Sequence, residues 1–189
     1  MSIPLLLILI AACAVMLLVE RSGVRTTLHL TFKGDVKRET LFLQQWGQSV
    51  ATPLAALLVW QLDTSSRRVA AALAVVAAPA MGSVSCFVLK RLLGRVRPNR
   101  ENQGKFLGPS LKHDNARESF PSSHSACAVA LSVTLAHLYP AAAVTFYGLG
   151  LVTALLRYVL DAHWPSDVIG GVALGYGCAY AALKIFHFT

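Results

Sequence analysis
The sequence predicts an all-α fold, a single domain over residues 1–189 in which six transmembrane helices form a bundle. Three observations predict it. Of the 189 residues, 55% are hydrophobic and 14% charged, against roughly 25% charged in an ordinary soluble domain. The mean hydropathy is +0.56. Six stretches approach the about 20 apolar residues that cross a hydrocarbon core: 3–19, 42–62, 69–93, 122–138, 141–160 and 166–186. A soluble chain this small has no core able to bury so much apolar surface. Backbone facing lipid must bond to itself, which makes each stretch a helix.

The first stretch contains Ile10-Ala11-Ala12-Cys13, which resembles a lipoprotein cleavage box. Met1-Ser2-Ile3-Pro4 lacks the basic segment of a signal peptide, so an uncleaved helix is expected. The polar segment 20–41 follows, and alternation such as Thr27-Leu28-His29-Leu30 predicts that it lies along the membrane surface. Gln44, Gln45 and Gln48 dilute the start of the second stretch. The third runs into a loop, 94–121, rich in Arg, Asn, Gly and Pro. Loops of that length are more often functional or mobile than idle. The last stretch is dense in small residues, and Gly171 and Gly175 form a GxxxG. That pattern allows close helix packing, expected within the chain, with a dimer as the alternative. Cys13, Cys86, Cys127 and Cys178 all lie in apolar runs without CxxC spacing, as packing residues do.

The net charge of +8 raises the possibility of a nucleic acid partner. The cations gather near the ends of apolar segments, with no basic or aromatic stripe for a strand. A phosphate-bearing lipid surface suits them better, so the expected partners are the bilayer and a phosphorylated lipid.

Three clusters carry chemistry. Ionisable groups beside membrane helices are costly and ask for a reason. The first cluster runs from Lys90 to Pro98; Lys90 and Arg97 are seven apart and are predicted on one helix face, two turns apart. The second is Phe120-Pro121-Ser122-Ser123-His124, opening the fourth helix. Serine caps helix N-termini, and the free N–H groups there attract anions. His124 in that turn is placed to hand a proton to an atom held nearby. The third runs from Arg157 to Asp167, with His163 in a short connection and Asp167 four residues on. A carboxylate on one imidazole nitrogen fixes the tautomer and frees the other nitrogen to attack. Each cluster alone also has a plainer reading: a headgroup anchor, an ordinary cap, a surface His–Asp contact. Two crossings separate the second and third clusters, and the third helix brings the first to the same end. The active site is therefore expected at one membrane face, with three cations, a helix N-terminus, two histidines and an aspartate.

Lys-x6-Arg-Pro, then Pro-Ser-x-His, then Arg-x5-His-x3-Asp resembles the type 2 phosphatidic acid phosphatase superfamily, from Lys90 to Asp167. The resemblance implies a metal-independent lipid phosphatase with no cofactor. His163 attacks phosphorus, Asp167 orients it, and His124 protonates the leaving group. Lys90, Arg97, Arg157, Ser122 and the backbone of Ser123 hold the phosphoryl oxygens. No carboxylate cluster suggests a divalent site. Two positions depart from the family: Ser123 where glycine is usual, and Leu156 where serine is usual. Residues 99–105 are expected to form either a headgroup-reading lid or a solvated loop. A phosphotransferase using the same site, and a non-catalytic lipid-binding or transport protein, are the alternatives. All 17 Lys and Arg except Arg67, Arg68 and Lys184 fall on the site face, which by charge alone puts it in the cytoplasm. The resemblance implies the outer face of a bacterial inner membrane, and it is given precedence.

Overall fold
The computed structural model describes residues 2–28, 30, 32–48, 50–112 and 114–188. The elements are α1 (Ile3–Arg21), α2 (Gly34–Leu43), α3 (Ala51–Leu62), α4 (Arg68–Leu93), α5 (Ser123–Leu138), α6 (Ala143–Val159) and α7 (Pro165–Ile185). Short 3-10 turns occupy Asn115–Arg117 and Pro140–Ala142, and one β-bridge joins Arg95 to Phe106. Among the described residues, four segments are long and apolar enough to cross a membrane: α1, α4, Pro140–Val159 and α7. The chain is a multi-pass helical membrane protein.

Of the six expected spans, 42–62 comes out much shorter than predicted and 122–138 matches to within its N-cap, yet both helices are short for a crossing. α3 has 12 residues and α5 has 16. At 1.5 Å per residue these are roughly 18 and 24 Å, under the about 30 Å of a hydrocarbon core. The predicted helix 42–62 is broken. Phe42 and Leu43 close α2, residues 44–48 turn, and α3 begins at Ala51. Packing against α5 explains the break. Gly47 takes φ +80°, and a Cβ there would lie 2.5 Å from the Ala128 backbone. Gln44 is buried at 2% exposure and donates to the Thr40 carbonyl. Trp46 donates to Ser132 Oγ at 2.7 Å and stacks on Phe146.

α5 is the axle of the bundle. Every residue from Ser125 to Ala136 is buried, and α4, α6 and α7 pack around it. Its side chains are mostly Ala, Ser, Val and Leu, which let neighbours approach closely. The Gly171–Gly175 pair serves this contact within the chain. A Cβ on Gly171 would meet Ser122 O at 2.5 Å, and one on Gly175 would run into the Ala126 backbone. α1 packs on α7 at the edge and turns Leu7, Ile8 and Leu18 outward. All four cysteines are buried and unpaired.

α2 has no buried residue, and the segment before it crosses the end of α6. Leu28 N donates to Asp161 Oδ1 at 3.2 Å, and Tyr158 Oη donates to Thr26 O at 2.8 Å. His29 of the alternating stretch lies outside the described residues. At the opposite end Tyr139 donates to Asp63, and Arg67 holds the carbonyls of Phe186 and His187.

Candidate active site
The three motif clusters meet at the N-terminal end of α5. α4 stops at Leu93 because Gly94 turns left-handed at φ +59°. Lys90 and Arg97 therefore do not share a helix face, which corrects the reading of their spacing. Lys90 ends α4, while Arg97 reaches the site from the following loop. That loop is tied down at several points: Arg97 N donates to Ala116 O, Ser119 N to Arg95 O, and Gly104 N to Val96 O. Residues 99–105 form a self-bonded turn, with Lys105 Nζ donating to Asn102 Oδ1.

Ser122 is the N-cap of α5, fully buried, and its Oγ accepts from Ser125 N and Ser125 Oγ. Its backbone N–H donates to the Asp167 carbonyl at 3.0 Å, which joins the second motif to the third. Ser123 is the first helical residue and has no positive φ, so this turn accepts a side chain where glycine is usual. His124 follows in the same turn, half-buried, and the charges of Arg157, Lys90 and Arg97 all bear on it.

His163 sits in the link between α6 and α7 at 2% exposure, and Asp167 in the first turn of α7 at 0%. His163 Nδ1 lies 3.6 Å from Asp167 Oδ2, an ion-pair separation just beyond a hydrogen bond. Burial pushes the His163 imidazole down to about 3, outweighing the upward pull of Asp167; Arg97 and Arg157 add to the lowering. The ring is neutral at pH 7 and so has a free nitrogen lone pair. Arg97 Nη1 donates at 3.0 Å to the carbonyl of Ala162, beside His163.

Arg157, half-buried near the end of α6, donates to Gln44 Oε1 from the 44–48 turn. Its Nε is buried without a partner. Buried donors of this kind are rare, and an anion at this point would satisfy it. All eight residues expected at the site thus come together at one end of the bundle. Among the described residues, no group of three His, Cys, Asp or Glu side chains is placed to hold a metal ion.

Several side chains here were not anticipated. Arg95 Nη1 donates to Asp167 Oδ1 at 2.5 Å and to Ser166 Oγ at 2.6 Å. Arg95 Nη2 donates to Glu20 Oε2 at 2.6 Å. Ser119 Oγ and the backbone N–H of Trp164 both donate to Asp167 Oδ2. Arg95 stood inside the basic cluster, and its signal was lost among its neighbours. Glu20 carried a clearer one: a carboxylate closing an apolar helix, where a buried charge demands a partner.

The fold and site define a helical membrane protein with a cation-lined centre built on a buried imidazole–carboxylate pair. The chain belongs to the PAP2 superfamily, whose sequence pattern matches residues 68–189. It is 38% identical over 89 residues to a lipid A 1-phosphatase of Rhizobium johnstonii, covering 47% of this chain and 36% of that protein. It is 29% identical over 152 residues to an undecaprenyl-diphosphatase of Sulfolobus acidocaldarius, covering 77% and 68% of the two chains. A decaprenylphosphoryl-5-phosphoribose phosphatase of Mycolicibacterium smegmatis is 34% identical over 101 residues, covering 52% and 51%. The matched segment spans little more than a third of the Rhizobium protein. No solved structure matches the chain significantly.

Proposed function
We propose that this protein is a membrane phosphatase that hydrolyses a phosphomonoester or diphosphate on a lipid, through a phosphohistidine and without a metal. The observation that carries the reading is the meeting of Lys90, Arg97 and Arg157 with His124 and the His163–Asp167 pair at one end of α5. Neutral His163 attacks phosphorus through Nε2. The bond from phosphorus to the leaving oxygen breaks, and that oxygen takes a proton from His124. Asp167 supports the positive ring of the phosphohistidine. Water then attacks phosphorus and gives a proton to His124, and inorganic phosphate leaves with His163 restored. Lys90, Arg97, Arg157, Ser122 and the Ser123 N–H hold the phosphoryl oxygens. Fixed positive charge does here what Mg²⁺ does at many phosphoryl-transfer sites.

The names of the relatives favour substrates with a phosphate or diphosphate on a large lipid, either lipid A or a polyprenyl carrier. The family resemblance supports a site on the outer face of the cell membrane. The test is phosphate release by the purified chain in detergent with EDTA, over lipid A, undecaprenyl diphosphate, phosphatidic acid and phosphatidylglycerol phosphate. His163→Ala runs beside it. Release that persists in EDTA and vanishes in the variant is expected; loss of activity in EDTA would sink the metal-free reading. Radioactive phosphate moving to an added lipid acceptor would favour transfer over hydrolysis.

A further inference from the structure
We infer that Glu20, at the end of α1, and Arg95 are positioning residues that hold the Asp167 carboxylate behind His163. The inference rests on the roles proposed above for His163 and Asp167. Glu20 reaches across from the peripheral helix. Its Oε1 accepts from the Ser166 N–H at 2.9 Å, and its Oε2 accepts from Ser166 Oγ at 2.5 Å and from Arg95 Nη2 at 2.6 Å. Arg95 turns its other arm, Nη1, to Asp167 Oδ1. The guanidinium thus bridges two carboxylates, and all three groups are buried, with side-chain exposures of 2% for Arg95, 4% for Glu20 and 0% for Asp167.

Two physical consequences follow from this geometry. First, Asp167 has little freedom. Arg95 fixes one oxygen, while Ser119 and Trp164 N fix the other. The oxygen facing His163 is held by Ser119 from the loop before α5 and by the N-cap of α7 itself, and the other oxygen by Arg95. Groups of this supporting kind typically change activity by about 10–100-fold when removed. Second, Glu20, Arg95 and Asp167 carry one net negative charge when ionised. That charge lies behind the ring that becomes positive in the phosphohistidine. Arg is suited to the bridge because its planar fork serves two carboxylates at once, which a Lys ammonium does not. Arg95, Ser119, Ser166 and Asp167 all lie within the family-matched residues 68–189, whereas Glu20 lies outside them. The first helix therefore completes a site whose named parts are all elsewhere.

The test is Glu20→Gln in the full chain in detergent, assayed for phosphate release from lipid A and undecaprenyl diphosphate beside wild type and His163→Ala. A Gln keeps side-chain volume but loses the charge that faces Arg95, and in either orientation its nitrogen opposes a donor: Ser166 N–H at Oε1, or Arg95 Nη2 and Ser166 Oγ at Oε2. The expected result is kcat lower by about 10–100-fold with KM within about threefold. A kcat within about twofold of wild type, or a loss carried by KM alone, overturns the inference. Should Glu20→Gln fail to fold, Ser166→Ala removes a single hydroxyl from the network. It is expected to lower kcat by about 3–10-fold, and an unchanged kcat overturns the inference. Wild-type protein without activity, or an active His163→Ala, would sink the functional reading itself and this inference with it.

Discussion

Replacing Asp167 by Asn tests the centre of the proposed mechanism. The carboxylate accepts from Arg95 Nη1 at 2.5 Å, from Trp164 N at 2.9 Å and from Ser119 Oγ, and faces His163 Nδ1 at 3.6 Å. An amide has one acceptor and one donor end. With its nitrogen toward Arg95, it opposes a guanidinium; with its nitrogen toward Trp164, it opposes a backbone N–H and a hydroxyl. Either orientation also removes the counter-charge to His163. Taking one partner from a buried ion pair costs about 3–5 kcal/mol of stability. Replacing a carboxylate that holds a catalytic imidazole lowers turnover by about 10⁴-fold in a serine protease. At about 1.36 kcal/mol per tenfold, that is roughly 5 kcal/mol of the barrier. Here the expected loss is about 10³–10⁴-fold in kcat, with His163 still present and the fold retained. Steady-state phosphate release from detergent micelles gives kcat, and fluorescence of the three tryptophans on heating reports the fold. A folded Asp167→Asn protein with kcat within about tenfold of wild type would refute the role given to this carboxylate.

Burial holds the His163 imidazole down to about 3, so it stays neutral from pH 7 to below pH 5. Nitrogen NMR of histidine-labelled protein, assigned with His163→Ala, should show no titration of this ring near 6.5; a midpoint there would contradict the burial argument. Because the folded value lies below the ordinary one, the contribution of His163 to stability is complete above about pH 6.5 and is lost as pH falls towards 3. Thermal unfolding at pH 7.5 and pH 5 should show that decline in wild type, and a smaller one in a His163→Gln protein. Gly47→Ala places a methyl group 2.5 Å from the Ala128 backbone at a φ of +80°, so a loss of about 1–3 kcal/mol is expected. The displaced 44–48 turn should also release Arg157 from Gln44, raising KM; an unchanged unfolding temperature and KM would show that the turn is not held by this contact.

The parts of the site legible in sequence were those written locally. Ser122 before an apolar run announces a cap, and His163 and Asp167 stand four residues apart. Counting crossings brought all three clusters to one end, and the structure places them there. The helix break at 44–48 was not legible, because it depends on the backbone of Ala128, some eighty residues later. The length of α3 was misjudged for a related reason, and α5, read to within one residue, is nonetheless short for a crossing. Hydropathy registers an apolar run but does not say whether lipid or other helices surround it. α5 is enclosed by α4, α6 and α7, so its length answers to its neighbours and not to the bilayer. Lys90 and Arg97 matched a helical spacing that Gly94 interrupts. Glu20 signalled a need for a partner, but which partner was out of reach, because Arg95 and Ser166 are 75 and 146 positions away.

That last separation bears on how the protein is made. Chains emerge from the ribosome N-terminus first, so Glu20 enters the membrane early and Ser166 near the end. Until residue 95 is made, a carboxylate at the end of α1 has neither of its buried partners, and until residue 166 it lacks the second. The same holds for Arg95, which waits for Asp167. The network therefore cannot close before α7, which packs against both α1 and α5. A chain stalled before α7 leaves in the bilayer a bundle that lacks Ser166 and Asp167, the two residues that Glu20 and Arg95 hold.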